Sequence, residues 1–335
     1  YDEAVRQVLE AGLNVRTHFT PPSDFIMPIR RLIEEKKISM ATIDKRVSEV
    51  LSVKFRLGLF DHPYVEKTKE SDKVGGVNRN MDFVKHMQQQ SLVLLKNNGN
   101  LLPLDKNRIK KILVTGPLAD ESNFMESRYG PNRLEKVTVL KGLRNYLQGS
   151  VEVDYAKGCN IINEGWPSTE ILPEPLSDSE KDGIQNAVEK AEDCDVIIAV
   201  LGEDEYRTGE SRSRTSLDLP GRQQELLEAL YATGKPVVLV LINGQPLTIN
   251  WADKYIPSIL ETWFPSCQGG TVIAETLFGD YNPGGKLTVT FPKSVGQIEL
   301  NFPFKPGSHG NQPESGPNGS GSTRVLGELY PFGHG

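Results

Sequence analysis

Cysteine is scarce in this chain: three among 335 residues, Cys159, Cys194 and Cys267. The number is odd and the spacing wide, so neither a disulfide framework nor a C-x-x-C metal pair is encoded. Each reads as a small apolar core residue. Long apolar runs are missing as well; none approaches the ~18 residues that a membrane-spanning helix needs. Basic charge is not in excess. The formal net charge is −6, which argues against a broad nucleic-acid footprint. Phosphate-cradling patterns are lacking: no G-x-G-x-x-G follows the first strand of the α/β region, and no G-x-x-x-x-G-K-[ST] occurs. No H-E-x-x-H helix or EF-hand loop is present, and the five histidines are scattered. His86 falls within a helical pattern and His334 in a terminal turn, both read as structural. No cofactor and no metal are expected.

What is present suits a globular chain with a substantial core: 37% hydrophobic and 24% charged residues. The length suggests two domains. The sequence opens at Tyr1, inside a helical pattern, so the expectation is a fragment or a processed chain, and the lack of a signal peptide carries no message about targeting. Helices are predicted over 2–11, 23–37 and 42–57, the last carrying Ile43, Val47, Val50, Leu51 and Leu57 near helical spacing and ending at Gly58. These helices, in residues 1–64, need a partner surface for their apolar faces. Residues 65–81 are polar, lysine-rich and contain Gly75 and Gly76, and read as a linker. Asp82 is placed to cap a helix that runs to Lys96 and stops at Asn97-Asn98-Gly99.

From Ile109 onward strands and helices alternate. Strands are predicted over 111–115, 151–155, 195–202, 236–242, 258–264 and 287–291. Helices are predicted over 138–147, from a Ser177/Glu180 capping box, from Pro220 to Gly234, and over 270–278. Val196 to Leu201 and Pro236 to Ile242 are apolar on both faces, as strands in the middle of a parallel sheet must be when helices cover both sides. Residues 82–305 therefore read as a three-layer, doubly wound α/β sandwich with a largely parallel sheet. Residues 306–335 read as a Gly/Ser/Pro/Asn-rich flexible loop followed by ordered structure at Tyr330–Gly335.

In such sheets ligands bind beyond the carboxyl ends of the strands. The stretch after residue 202 stands out: Glu203, Asp204, Glu205 and Glu210 alternate with Arg207, Arg212 and Arg214 within twelve residues. One reading is a solvated loop with surface ion pairs. The other is a loop, flanked by glycine, that carries one carboxyl as a general acid over a substrate.

Four stretches carry a resemblance. They are Lys45-Arg46-Val47 through Val53-Lys54-Phe55-Arg56-Leu57-Gly58-Leu59-Phe60; Ser91-Leu92-Val93-Leu94-Leu95-Lys96-Asn97-Asn98-Gly99 with Leu101-Leu102-Pro103-Leu104; Phe278-Gly279-Asp280-Tyr281-Asn282-Pro283-Gly284-Gly285-Lys286-Leu287; and Tyr330-Pro331-Phe332-Gly333-His334-Gly335. In this order they resemble glycoside hydrolase family 3, the β-glucosidase and β-xylosidase family. The resemblance implies that residues 1–64 are the last turn of a (β/α)8 barrel and that 82–305 is the sandwich domain carrying the acid/base loop. A fibronectin-III-like domain would follow the chain. The family's nucleophile, an aspartate in a Ser-Asp-Trp-like motif of the barrel, has no match here.

Gly209-Glu210 and Arg214, followed by Leu219-Pro220-Gly221, match the family's acid/base pattern, which makes Glu210 the implied general acid/base. Ser213 departs from it, an aspartate being frequent there, and Asn14-Val15 stands where the family more often has Asp-Met. Arg214 would orient Glu210, bind a sugar hydroxyl, or pair at the surface with Asp204 or Glu205. Trp166 would stack on a sugar at the outer edge of the site or pack locally. The implied activity is retaining, exo-acting β-glucoside hydrolysis, with carboxyls about 5–5.5 Å apart, and the isolated chain is expected to be inactive. A β-xylosidase and a non-catalytic carbohydrate-binding module are the alternatives. The implied partners are an oligosaccharide substrate and the N-terminal barrel of the same enzyme, with no nucleic acid and no membrane span. The implied location is periplasmic or secreted.

Overall fold

The computed structural model describes residues 1–17, 19–64, 80–130, 134–162, 175–212, 214–298 and 327–335. The chain divides into two compact units, Tyr1–Gly76 and Val77–Gly335. Trp166, Ser213, nearly all of the 65–81 stretch and most of the Gly/Ser-rich tail lie outside the described residues.

The first unit holds three helices: α1 (Asp2–Ala11), α2 (Ser23–Glu34) and α3 (Met40–Arg56). Ser39 caps α3 by accepting from the Thr42 N–H, and α1 stops at Gly12, whose left-handed backbone suits glycine. A small core gathers Val5, Leu9, Leu32 and Ile38. Most of the predicted apolar stripe of α3 is not enclosed: Val47, Leu51 and Leu57 remain exposed, as do Phe55 and Phe60.

The second unit opens with α4 (Met81–Ser91) and a strand, β1 (Val93–Asn97). This corrects the helix expected to reach Lys96. Leu92, Val93 and Leu95 are all buried, and such a short apolar run does not form one face of a continuing helix. Asp82 lies in the first turn of α4, behind the N-cap Asn80, and is not itself the cap. Then follow β2 (Lys111–Thr115), α5 (Val139–Leu147), β3 (Glu152–Ala156), α6 (Asp178–Glu192), β4 (Val196–Gly202), α7 (Gln223–Ala232), β5 (Val237–Ile242), α8 (Asn250–Tyr255), β6 (Ser258–Glu261) and α9 (Gly269–Leu277). The short helix α8 carries no advance signal. The Ser177/Glu180 capping box of α6 is present in both directions.

The six strands lie in the order β1-β6-β5-β4-β2-β3. All neighbours are parallel except β1, which runs antiparallel to β6. Strand alternation sorts the core into two layers. Leu113, Ile197, Ala199, Leu201, Leu239 and Leu241 face a cluster that includes Ile184, Ala187, Leu226 and Leu230 of α6 and α7. Ile112, Val114, Ile198, Val200, Val238 and Val240 face one that includes Leu140, Leu143, Val272 and Ile273 of α5 and α9. Each fully enclosed Val, Leu or Ile among them stabilises by roughly 1.5–3 kcal/mol. α5 and α9 cross at glycines: a Cβ on Gly142 would sit 2.1 Å from the Gly270 carbonyl oxygen.

The strand expected over 287–291 is not part of the sheet. Among the described residues only Phe291 makes a β-bridge there, to Tyr330. Leu287 N–H instead donates to His334 O at 2.8 Å and Gly333 N–H donates to Leu287 O at 2.8 Å, so this stretch pairs with the last residues of the chain. His334 is structural, its Nε2 lying 2.9 Å from the Leu95 carbonyl oxygen. The three cysteines are buried free thiols; burial pushes Cys159 up to about 12 and Cys194 up to about 11.

Candidate active site

Strands β4, β5 and β6 run parallel and end together, at Gly202, Ile242 and Glu261. The charged loop leaves this edge. Its departure is fixed by Gln223, a fully buried side chain that accepts from Gly202 N–H at 2.8 Å and donates to Gly202 O at 2.8 Å and Pro220 O at 3.0 Å. Pro220 therefore precedes a turn, and helix α7 begins only at Gln223. Gly202 has φ 141°, and a Cβ there would lie 1.9 Å from the Ile242 carbonyl oxygen, so no other residue fits without moving backbone.

The loop is not a uniformly solvated one. Glu203, Asp204, Arg207 and Thr208 are buried. Arg207 pairs with Asp204, and Arg214 pairs with Glu203. Gln245, from the turn after β5, donates its Nε2 to Glu203 Oε1 at 2.8 Å. Arg214 also donates to the Asp218 carbonyl oxygen at 2.8 Å. Its partner carboxylate is thus Glu203, neither Asp204 nor Glu205, and residues 203 and 214 close the loop at its base.

Glu210 lies at the exposed tip, between Gly209 at φ 118° and Ser211 at φ 62°. Its Oε2 accepts from the Tyr129 hydroxyl at 3.4 Å, and its backbone N–H donates to the same hydroxyl oxygen at 3.3 Å. Arg128 donates to the Glu210 carbonyl oxygen at 3.4 Å and stands over the Tyr129 ring. Arg128 and Tyr129 lie in the loops between β2 and α5, and sequence reasoning missed them. The rule that site residues gather after the carboxyl ends of parallel strands pointed to that stretch too.

Beside them opens a polar cleft of ≈640 Å³, lined among others by Glu126, Arg128, Lys136, Glu205, Tyr206 and Arg212. Its wall is built: Lys136 Nζ lies 3.2 Å from Glu126 Oε2, and Ser266 donates to Glu126 Oε1 at 3.0 Å. Its lining of charged and hydroxyl groups suits a hydroxyl-rich molecule. Among the described residues no group of three or more His, Cys, Asp and Glu could hold a metal ion, and no helix is long and apolar enough to cross a membrane.

The sequence model of the Glycosyl hydrolase family 3 C-terminal domain matches residues 92–335. A periplasmic β-glucosidase from Salmonella typhimurium is 38% identical over the whole chain and 45% of its own length. A β-xylosidase from Formosa agariphila is 38% identical over 88% of the chain and 39% of its own length. The chain thus spans less than half the length of these relatives. Among solved structures, a β-glucosidase from Listeria innocua in complex with isofagomine superposes over the whole chain with a TM-score of 0.81 at 29% identity, covering 44% of that protein. One from Erythrobacter marinus does so with a TM-score of 0.78 at 34% identity, also covering 44%. Motif, fold and relatives agree, and the chain belongs to glycoside hydrolase family 3.

Proposed function

We propose that this chain is the acid/base-bearing part of a retaining, exo-acting β-glucosidase that removes terminal non-reducing β-D-glucosyl residues from oligosaccharides. Glu210 is the general acid/base, and the nucleophilic carboxylate comes from the (β/α)8 barrel of the same enzyme, to which residues 1–64 contribute the last turn. The observation that carries this reading is the contrast within the loop. Glu203 and Asp204 are enclosed and matched to arginines, whereas Glu210 is exposed and, among the described residues, its carboxyl is hydrogen-bonded only to Tyr129.

In the first step the nucleophile attacks the anomeric carbon, the bond to the leaving oxygen breaks, and Glu210 gives that oxygen its proton. In the second step Glu210 takes a proton from water, whose oxygen attacks the same carbon and releases the nucleophile. Tyr129 orients the Glu210 carboxyl, and Arg214 holds the loop through Glu203. The 335-residue chain contains no Ser-Asp-Trp sequence and, on this reading, is expected to leave an aryl β-glucoside intact. The periplasmic relative from Salmonella favours a periplasmic location. A β-xylosidase is the second reading, favoured by the Formosa relative.

The test is Glu210→Ala in a polypeptide that carries the complete barrel. Turnover of a glucoside with a poor leaving group should fall by roughly 10²–10⁴, an activated aryl glucoside should suffer less, and azide should restore turnover with β-glucosyl azide as product. Unchanged kinetics would remove Glu210 from the reaction. Paired aryl β-glucoside and β-xyloside substrates separate the two readings.

A further inference from the structure

Three acids are enclosed where β4 and β6 end: Glu203 and Asp204 after β4, and Glu261 at the end of β6. Two arginines are enclosed with them, and both are taken: Arg207 by Asp204 and Arg214 by Glu203. Glu261 is the third acid, and among the described residues it has no cationic partner. The backbone N–H groups of Trp263 and Thr262 and the side chain of Asn243 act on its carboxyl, each favouring the ionised form, and burial outweighs them. Trp263 N–H donates to Glu261 Oε1 at 2.7 Å. Glu261 Oε2 is buried with no partner, and so is Asn243 Oδ1. An ionised carboxylate in this place would be an enclosed charge with no cation to match it, beside an enclosed acceptor without a donor, two costly arrangements at once. A single proton removes both.

We infer that Glu261 is held as a neutral carboxylic acid that donates its proton to Asn243 Oδ1, and that Glu261 and Asn243 are positioning residues for the loop that carries Glu210. The path is continuous. Asn243 Nδ2 donates to the Gln245 carbonyl oxygen at 2.7 Å, Gln245 Nε2 donates to Glu203 Oε1 at 2.8 Å, and Glu203 pairs with Arg214 at the far end of the loop. Asn243 N–H also donates to Trp263 O at 3.3 Å, which ties the ends of β5 and β6 together. The strand neighbours in register with Glu261 are Val93 and Leu241, neither of which titrates. The other enclosed acids at this edge are matched: Glu203 by Arg214, Asp204 by Arg207, and Glu126, in the loop after β2, by Lys136.

Burial pushes the Glu261 carboxyl up to about 8, from an ordinary value of 4.5. The sign of the pH effect follows. Below 4.5 both folded and unfolded chains hold the proton. Between 4.5 and about 8 only the folded chain holds it, so stability falls as pH rises through this window.

The protonation state is independent of the role of Glu210; the effect on the loop rests on the proposed function. The deciding measurement is carbon-13 NMR on the 335-residue chain labelled at the glutamate carboxyls. A protonated carboxyl should be present at pH 7, titrate near 8, and be missing from Glu261→Gln. The thermal midpoint of the parent should fall between pH 5 and 8.5 more steeply than that of Glu261→Gln, which keeps the shape and the donor without the ionisation. If no protonated carboxyl is lost on this substitution, or the two slopes coincide, the inference is overturned. In a polypeptide with the complete barrel, kcat should fall about tenfold in Glu261→Leu, the worth of one lost hydrogen bond, with KM unchanged, and be restored in Glu261→Gln. Equal losses in the two variants would overturn the positioning role. A Glu210→Ala variant of undiminished activity would overturn the proposed function while leaving the carboxyl signal as it was.

Discussion

At the base of the 203–214 loop Glu203 and Arg214 are enclosed and matched to one another; at its tip Glu210 and Arg212 face solvent. The residue types are the same, and the difference lies in what surrounds them. The base sits against the ends of β4 and β5, where Ile242 O accepts from Glu203 N–H at 2.8 Å and Gln245 supplies a further donor. A charge there is out of water and must be matched. The tip is carried by two residues of positive φ, Gly209 and Ser211, and by Tyr129 and Arg128. A carboxyl there stays in contact with water. The enclosed pair at the base makes the exposed acid at the tip a placed one.

This contrast can be broken from either end. The largest stability effect is expected for Arg214→Met, which leaves Glu203 buried without its counter-charge. Such a change costs about 3–5 kcal/mol, readable as a lower midpoint in urea unfolding, and a Glu203→Leu/Arg214→Met double variant should recover most of it. A double variant no better than the single one would show that the pair matters for more than charge balance. Gln245→Ala removes one donor to the same carboxylate and should cost about 1–3 kcal/mol. At the tip, Arg212→Ala should leave stability within about 0.5 kcal/mol. A larger loss would mean that the tip is held as firmly as the base.

Much of the fold was legible because burial on two faces leaves a plain mark. Val196–Gly202 and Val237–Ile242 are unbroken apolar runs, and both are central strands. The Ser177/Glu180 box was equally legible, since capping is local chemistry. The strand Val93–Asn97 was not, because helix and strand both bury a run as short as Leu92 to Leu95, and only pairing with Ser258–Glu261 decides between them. Leu287 and Phe291 are buried like strand residues, yet their hydrogen-bond partners are the last residues of the chain and not the sheet. Glu210 was singled out by a motif. Its neighbour Tyr129 lies 81 residues away in sequence, where no local pattern connects the two. Glu203 and Glu261 were illegible as enclosed acids, since composition shows a carboxyl and not its dielectric surroundings.

The last residues do more than end the unit. Gly285 N–H donates to the Leu92 carbonyl oxygen, and His334 meets the Leu95 carbonyl oxygen, so the outer rim of β1 is occupied by chain from the far end of the sequence. An open rim on an outermost strand is a template on which other polypeptides can lay down a further strand. Its own distant segment seated there leaves less of the Val93–Asn97 rim open to such pairing, and the same stitch brings residues 92–95 beside residues 285 and 334.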